Sequence, residues 1–367
     1  YGYVSLTTRF GNVCMPEIEV VDIAELKRKK LMNGPFSPVL LREIRQALER
    51  KEQVILFQNR RGFAPVVECH VCGWTPQCPH CDVSLTFHKR SNSLTCHYCG
   101  FSTSVAQRCP QCDADRLSSK GYGTERIEDV LASIFPDARV ARMDLDTTRS
   151  RSAYEGIIKG FQRGDTDILI GTQMVTKGLD FRRVSVVGIL NASTMLNQPD
   201  FRSYERAYQM MTQVAGRAGR SSAGNGQNVR PGRVILQVHD AKPPAVMQVG
   251  RGVFEGMLRT QMEERRLFMY PPLCRLVYVY IKHKDEIVLE HLAEELAALL
   301  RQVFGHRVLG PDMPPIARVQ TMYIRKVCLK LELTANMAEA RRRLHEIQKY
   351  MTSKPEYKSA VMYYDVD

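Results

Sequence analysis

Residues 69–112 read CHVCGWTPQCPHCDVSLTFHKRSNSLTCHYCGFSTSVAQRCPQC, and they hold eight of the chain's eleven cysteines. The eight fall in four Cys-x-x-Cys pairs: Cys69/Cys72, Cys78/Cys81, Cys96/Cys99 and Cys109/Cys112. A Cys-x-x-Cys turn places two thiolates on one metal ion, and two such turns complete a sulfur tetrahedron. Fourteen residues separate the two middle pairs, and within them Val83–Phe87 and Leu94-Thr95 can pair as a hairpin over Arg90-Ser91-Asn92-Ser93. That is the layout of a zinc ribbon, with a slightly short gap. The outer pairs are then left to each other. The spacing therefore predicts two nested sites, Cys69, Cys72, Cys109 and Cys112 around Cys78, Cys81, Cys96 and Cys99. Consecutive pairing would leave only five residues between the first two turns.

Closed sulfur tetrahedra suit two structural Zn2+ ions, with iron the lesser alternative. No ligand position is left for water, so neither site is expected to be catalytic. A thiol redox role is the rival reading, but four such turns together imply mutual ligation. His70, His80, His88 and His97 lie nearby and read as bystanders where eight thiols suffice. Trp74, Phe87 and Tyr98 either stack on bases or pack a small core. Cys14, Cys274 and Cys328 are isolated and read as structural.

Working outward, the cysteine stretch interrupts an alternation of strands and helices. Upstream, Ser37-Pro38 provides an N-cap and a first-turn proline. Helical spacing of Val39, Leu40, Ile44, Ala47 and Leu48 follows, so residues 38–50 should be a helix. Gln53–Gln58 (QVILFQ) is a buried strand, and Asn59-Arg60-Arg61-Gly62 sits at its carboxyl end, the edge where open α/β sheets bind ligands. Downstream, Glu125–Phe135, Ala153–Gln162 and Tyr204–Ala215 read as helices. Arg139–Met143, Asp167–Gly171, Val184–Leu190 and Val234–Val238 read as strands. The order predicts a mostly parallel sheet. Residues 37–68 and 113–240 form one domain with 69–112 inserted into it. Residues 1–36 read as a lead-in segment and 241–272 as a helical connector. Residues 273–367 alternate β-α-β-β-α-β, the ferredoxin-like split βαβ order. An RNA-recognition module has the same order, but its aromatic strand motif is missing.

At 367 residues, 44% hydrophobic and 25% charged, the chain has the composition of a multidomain globular protein. It has no signal-peptide pattern and no apolar run of spanning length. Cysteines clustered in such a chain indicate metal binding in a reducing compartment. The formal net charge is +13. Two tetrathiolate zinc sites would remove about four units of it. The remaining excess favours an anionic partner, nucleic acid first, although solubility alone would also account for it. Inside 69–112 the cations are too few for a phosphate footprint of their own.

Two later segments carry chemistry. Gly171-Thr172-Gln173-Met174-Val175-Thr176-Lys177-Gly178-Leu179-Asp180 follows a buried strand, and Gln213-Val214-Ala215-Gly216-Arg217-Ala218-Gly219-Arg220 ends a helix. Together they resemble motifs V and VI of superfamily 2 helicases, with Gln53–Gly62 resembling the opening of the second motor lobe. A lobe broken after NRRGF by four Cys-x-x-Cys pairs and resuming with GYGTERIE and GTQMVTKGLDF closely resembles the PriA family of replication-restart helicases. MYPPLCRL and the closing YDVD extend the likeness to the end of the chain.

The resemblance implies a RecA-like second helicase lobe, a two-zinc insertion and a ferredoxin-like carboxyl-terminal domain. Arg217 and Arg220 would take the arginine-finger role at the γ-phosphate. Gln213 would sense nucleotide, with Gly178 and Asp180 on the nucleotide side. Arg61, Thr172, Gln173 and Lys177 would hold DNA. Arg341 and His345, one turn apart on the last helix, would face the acidic tail of the single-stranded-DNA-binding protein.

The family unwinds DNA 3′ to 5′ with ATP and Mg2+, acts at stalled or abandoned forks, meets primosome proteins and works in the bacterial cytoplasm at the nucleoid. One departure is large: neither a Gly-x-x-x-x-Gly-Lys-Ser/Thr phosphate loop nor an Asp-Glu-x-His motif occurs. The chain, opening on Tyr1, is therefore expected to be the carboxyl-terminal half, without ATPase activity of its own. The rival class is a non-enzymatic zinc scaffold that binds DNA or protein.

Overall fold

The structure, a computed structural model of the chain, describes residues 15–58, 66–69, 71–72, 74–88, 92–115, 117–120, 123–144, 147–148, 150–172, 181–196, 200–219, 230–239, 244–251 and 254–367. It divides into two compact units, residues 1–64 with 121–259 and residues 65–120 with 260–367.

The first unit opens with β1 (Glu17–Asp22), α1 (Ile23–Arg28), α2 (Pro38–Glu49) and β2 (Gln53–Phe57). Ser37 caps α2 by accepting the Leu40 N–H at 3.2 Å, and Pro38 takes the first turn. Every residue of β2 is buried, as a central strand covered on both faces requires. The chain then leaves for β3 (Val66–Cys69), β4 (Thr86–His88), β5 (Ser93–Thr95), β6 (Ser102–Ser104) and β7 (Leu117–Lys120). It returns with α3 (Thr124–Ile134), β8 (Val140–Met143), α4 (Arg151–Arg163), β9 (Ile168–Gly171), β10 (Val184–Ile189), α5 (Ser193–Leu196), α6 (Ser203–Ala215), β11 (Arg233–Val238) and α7 (Pro244–Arg251). The sheet runs β1-β11-β10-β2-β9-β8, and every pairing in it is parallel.

Two apolar cores cover its faces, one around Phe57, Phe161, Phe181 and Met211, the other around Phe36, Leu40, Ile44, Ile127 and Leu131. On the second face α2 lies so close that a Cβ on Gly188 would stand 2.9 Å from Leu40 and 2.8 Å from Leu56. Gln237, fully buried in β11, ties the layers together. Its amide nitrogen donates to Pro35 and Leu190 carbonyls, and its oxygen accepts the Ser37 N–H at 2.7 Å.

Two of the expected boundaries shift. Residues 17–22 are not a lead-in: they add an edge strand to this sheet, in register from Glu17↔Arg233 to Asp22↔Val238. Their alternation of acidic and apolar residues suits an edge, where Arg233 bonds Glu17 and Glu19 at 2.6 Å each. The connector is not separate either. Val246 and Val249 of α7 and Met257 of α8 (Phe254–Phe268) are buried in the first core, and the division between units falls inside α8.

The second unit contains the cysteine insertion and the carboxyl-terminal domain. The insertion is a two-stranded antiparallel stem, β3 with β7, carrying a three-stranded ribbon β4-β5-β6. The domain comprises β12 (Cys274–His283), α9 (Glu286–Phe304), β13 (Val308–Asp312), β14 (Arg318–Val319), β15 (Met322–Glu332), α10 (Met337–Ser353) and β16 (Val361–Val366). Its sheet order, β13-β15-β12-β16 and antiparallel throughout, is the ferredoxin-like arrangement. Leu289, Leu292, Leu296 and Leu300 of α9 bury onto Val277, Val279 and Ile281 of β12. Among the described residues, no helix is long and apolar enough to cross a membrane.

Candidate metal centres and the strand-end site

The four cysteine turns share one backbone design. In each, the first cysteine's N–H donates to the carbonyl five residues on: Cys69 to Trp74, Cys78 to Val83, Cys96 to Phe101 and Cys109 to Ala114, all at 2.8–2.9 Å. Closing the loop so tightly requires a left-handed residue after the second cysteine in two of them, Gly100 at φ 78° and Asp113 at φ 55°. Glycine adopts that conformation without cost and aspartate tolerates it. The pattern Cys-x-x-Cys-Gly/Asp recurs at all four turns, a sequence signal that spacing alone does not exploit.

The turns pair as nested sites. Cys69, Cys72, Cys109 and Cys112 form one group and Cys78, Cys81, Cys96 and Cys99 the other, each with its four sulfurs within 4.8 Å of one another. All eight are free thiols. Sγ–Sγ distances of 3.6 Å for Cys69–Cys112, Cys72–Cys109 and Cys78–Cys99 match the edge of a tetrahedron with ~2.3 Å metal–sulfur bonds, about 3.8 Å. The donor sets fit two structural zinc ions.

Crowded thiols also titrate apart: the Cys72 backbone N–H draws Cys69 down to about 7, whereas burial pushes Cys81 up to about 12. A bound cation stabilises all four thiolates of a site together. His80 Nδ1 approaches Cys99 Sγ only at 4.0 Å, outside both groups of four. Trp74 and Phe101 line a pocket of the module with Pro76, Pro79 and Leu117.

In the parallel sheet, the strand carboxyl ends share one edge. Thr172, 8% exposed, follows β9 there and donates its N–H to Met143 O at 3.4 Å. Gln58, at the end of β2, is also buried and bonds Gly171 O at 2.9 Å. Gln213 is exposed in the last turn of α6. Arg217 is 8% exposed in the turn that follows. Gly219 fixes that turn at φ 69°, and its N–H donates to Val184 O at 2.9 Å. A Cβ on Gly219 would stand 2.5 Å from Gly232 N, so two backbone segments touch directly beneath Arg217. Arg61, Gln173, Lys177, Gly178, Asp180 and Arg220 lie outside the described residues.

Sequence reasoning missed Asp144 as a hub of this edge. It is 1% exposed at the end of β8 and accepts from Thr124 Oγ1 at 2.6 Å and the Thr147 N–H at 2.9 Å. Arg142 bonds it at 3.3 Å and Glu128 at 2.7 Å, joining β8 to α3. The signal was Thr124 at a helix start, twenty residues before an aspartate at a strand end. On α10, Arg342 and Arg343 are engaged by Glu339, and Arg343 also by Glu346. Arg341 and His345 are exposed and take no part in those pairs.

Three described families match successive parts of the chain. The PriA DNA helicase Cys-rich region matches residues 78–103, the helicase conserved C-terminal domain matches 122–222, and the primosomal protein N C-terminal domain matches 266–367. Replication restart protein PriA of Bacillus subtilis is 37% identical over 351 residues, 94% of this chain and 42% of that protein. The Haemophilus influenzae protein of the same name is 36% identical over 88% of this chain and 43% of its own length. That of Treponema pallidum is 37% identical over 89% and 48%. The chain thus spans less than half the length of these relatives.

Proposed function

This chain belongs to the PriA family of replication restart proteins, and on that premise we propose that it is the second motor lobe, zinc module and carboxyl-terminal domain of an ATP-dependent 3′-to-5′ DNA helicase. In the whole protein, it acts at stalled or abandoned forks and starts primosome assembly in the bacterial cytoplasm, at the nucleoid. The observation that carries this reading is an all-parallel sheet interrupted after β2 by two closed four-cysteine sites, with a buried arginine in a glycine-pinned turn after α6.

In this mechanism Arg217 and Arg220 stabilise charge developing on the γ-phosphate held by the other motor lobe, and Gln213 senses the nucleotide. Gly178 and Asp180 link the nucleotide to the DNA side, where Arg61, Thr172, Gln173 and Lys177 hold phosphates. A rigid buried turn suits Arg217 because a guanidinium held in place needs no reorganisation as charge develops. Mg2+ and ATP belong to the assembled two-lobe site. Zinc supplies structure to the insertion and no open coordination position.

The test is Arg217→Lys in the full-length protein. Lysine keeps the charge but loses the planar fork. DNA-stimulated ATP hydrolysis should fall at least about 100-fold, with two zinc ions and fork binding retained. Unchanged hydrolysis would remove Arg217 from that role, whereas no DNA-stimulated hydrolysis in the unsubstituted full-length protein would favour the scaffold reading. Arg341 and His345 form the proposed face for the acidic tail of the single-stranded-DNA-binding protein. Arg341→Glu should weaken binding of an acidic tail peptide several-fold. Equal affinity for both proteins would remove that assignment.

A further inference from the structure

Cys81 differs from its counterparts in where its backbone donor comes from. Cys72 and Cys112, the second cysteines of the outer turns, take an N–H from two residues on, Trp74 and Ala114. Cys81 takes its N–H from Gln320, which donates to Sγ at 3.3 Å across 239 residues of sequence. Gln320 belongs to the tight turn between β14 and β15 of the carboxyl-terminal domain, where Val319 pairs with Met322.

Two more backbone bonds flank this one. The Asp82 N–H donates to Arg318 O at 2.9 Å, and the Thr321 N–H donates to His80 O at 2.8 Å. The turn therefore meets the ribbon knuckle along 80–82, one residue after another. Val319 packs against the apolar core of the cysteine module, a cluster that includes Leu85 and Leu94.

The turn is unusual in its own right. Gln320 and Thr321 have φ of 51° and 68°. Two successive left-handed residues are the hairpin geometry that Asn-Gly ordinarily fills. A β-branched threonine there is unfavourable, at a cost of order 1 kcal/mol or more, and persists only when its surroundings over-determine it. The knuckle supplies those surroundings: both left-handed residues give their N–H groups to it.

We propose that the metal of the ribbon site closes a clamp between the cysteine module and the carboxyl-terminal domain, with the Gln320 N–H as an outer-shell donor to the ligand Cys81. A tetrathiolate zinc site carries a net charge of about −2, and N–H groups directed at its sulfurs disperse that charge. Loss of the metal removes the acceptor charge and the fixed knuckle on which the strained turn rests. The β14–β15 tip then opens. Among the described residues the outer site, Cys69, Cys72, Cys109 and Cys112, shows no such backbone tie to the domain, and it does not control the tip.

Hydrogen exchange on the zinc-loaded 367-residue chain tests this. Cys96→Ser, which breaks the ribbon site, should abolish protection at the amides of Asp82, Gln320 and Thr321, with β12 and the far half of β15 still protected. Cys112→Ser, which breaks the outer site, should leave Gln320 and Thr321 protected. Retained protection at Gln320 and Thr321 in Cys96→Ser would overturn the clamp, and so would equal loss in both variants.

A second measurement leaves the cysteines intact. Val319→Asp sets a carboxylate against the module core and should speed zinc loss to a chelator roughly tenfold in one of two kinetic phases. The other phase should not move. Release unchanged in both phases, or faster in both alike, would also count against it.

Discussion

Gly219 has no room for a side chain. Its φ of 69° and the Gly232 nitrogen 2.5 Å from any added Cβ act together, so Gly219→Ala meets backbone strain and a clash that no rotamer can relieve. We expect it to destabilise the lobe by about 2–4 kcal/mol, read as a lowered denaturant midpoint. Gly156, on the exposed face of α4 with nothing within 4 Å, is the control. Gly156→Ala should stabilise by up to ~1 kcal/mol. If both substitutions shift the midpoint alike, the Gly219–Gly232 contact is not what pins Arg217. The glycine was visible in the sequence as part of a basic glycine-rich run. Its partner thirteen positions on was not, because only tertiary packing brings the two backbones together.

Strands and helices were legible where burial leaves a pattern. The apolar runs of β2, β9, β10 and β11 mark central strands, and Ser37-Pro38 marks the start of α2. A polar edge hid β6: Ser102–Ser104 is exposed throughout, so no periodicity betrays it. Strand starts also carry an electrostatic clip. Asp167, ahead of β9, accepts from the backbone N–H of Arg139 at 2.8 Å and from its guanidinium at 2.6 Å, just before β8. Those bonds hold the Asp167 carboxyl below its ordinary value of 3.8, the guanidinium hydrogen bond first.

A depressed folded pKa means stability that is present above the unfolded value and is lost as pH falls through the folded one. Between pH 7 and 5 the clip should contribute a constant amount, under about 1 kcal/mol because Arg139 is largely exposed. Below pH 4 the contribution should fade. Asp167→Asn should be less stable than the parent at pH 6, and the gap should narrow toward pH 3 in urea melts. A gap that widens with acid would have the sign wrong.

For the whole molecule, the sequence placed the cysteine module inside the motor lobe, where its chain is inserted. The structure groups it with the carboxyl-terminal domain, through backbone atoms of Gln320 and Thr321 that no side-chain pattern announces. The nested pairing was legible because spacing alone restricts thiols, whereas the module's partner depended on a turn built from two unremarkable residues. With no phosphate-loop motif in its 367 residues, the chain alone should hydrolyse no ATP, with or without single-stranded DNA, in a coupled assay. Turnover above a zinc-loaded Arg217→Ala control would contradict that.

The stem has one more consequence. Val66 pairs with Lys120 and Cys69 with Leu117, so the chain departs and returns along adjacent strands, which lie about 5 Å apart. To the lobe, everything between is a long detour joined by a short gap. Such a detour adds little to loop-closure entropy, which grows only slowly with length. Gene-level exchange of this cassette, or its resizing, therefore leaves the six-stranded sheet's connectivity intact.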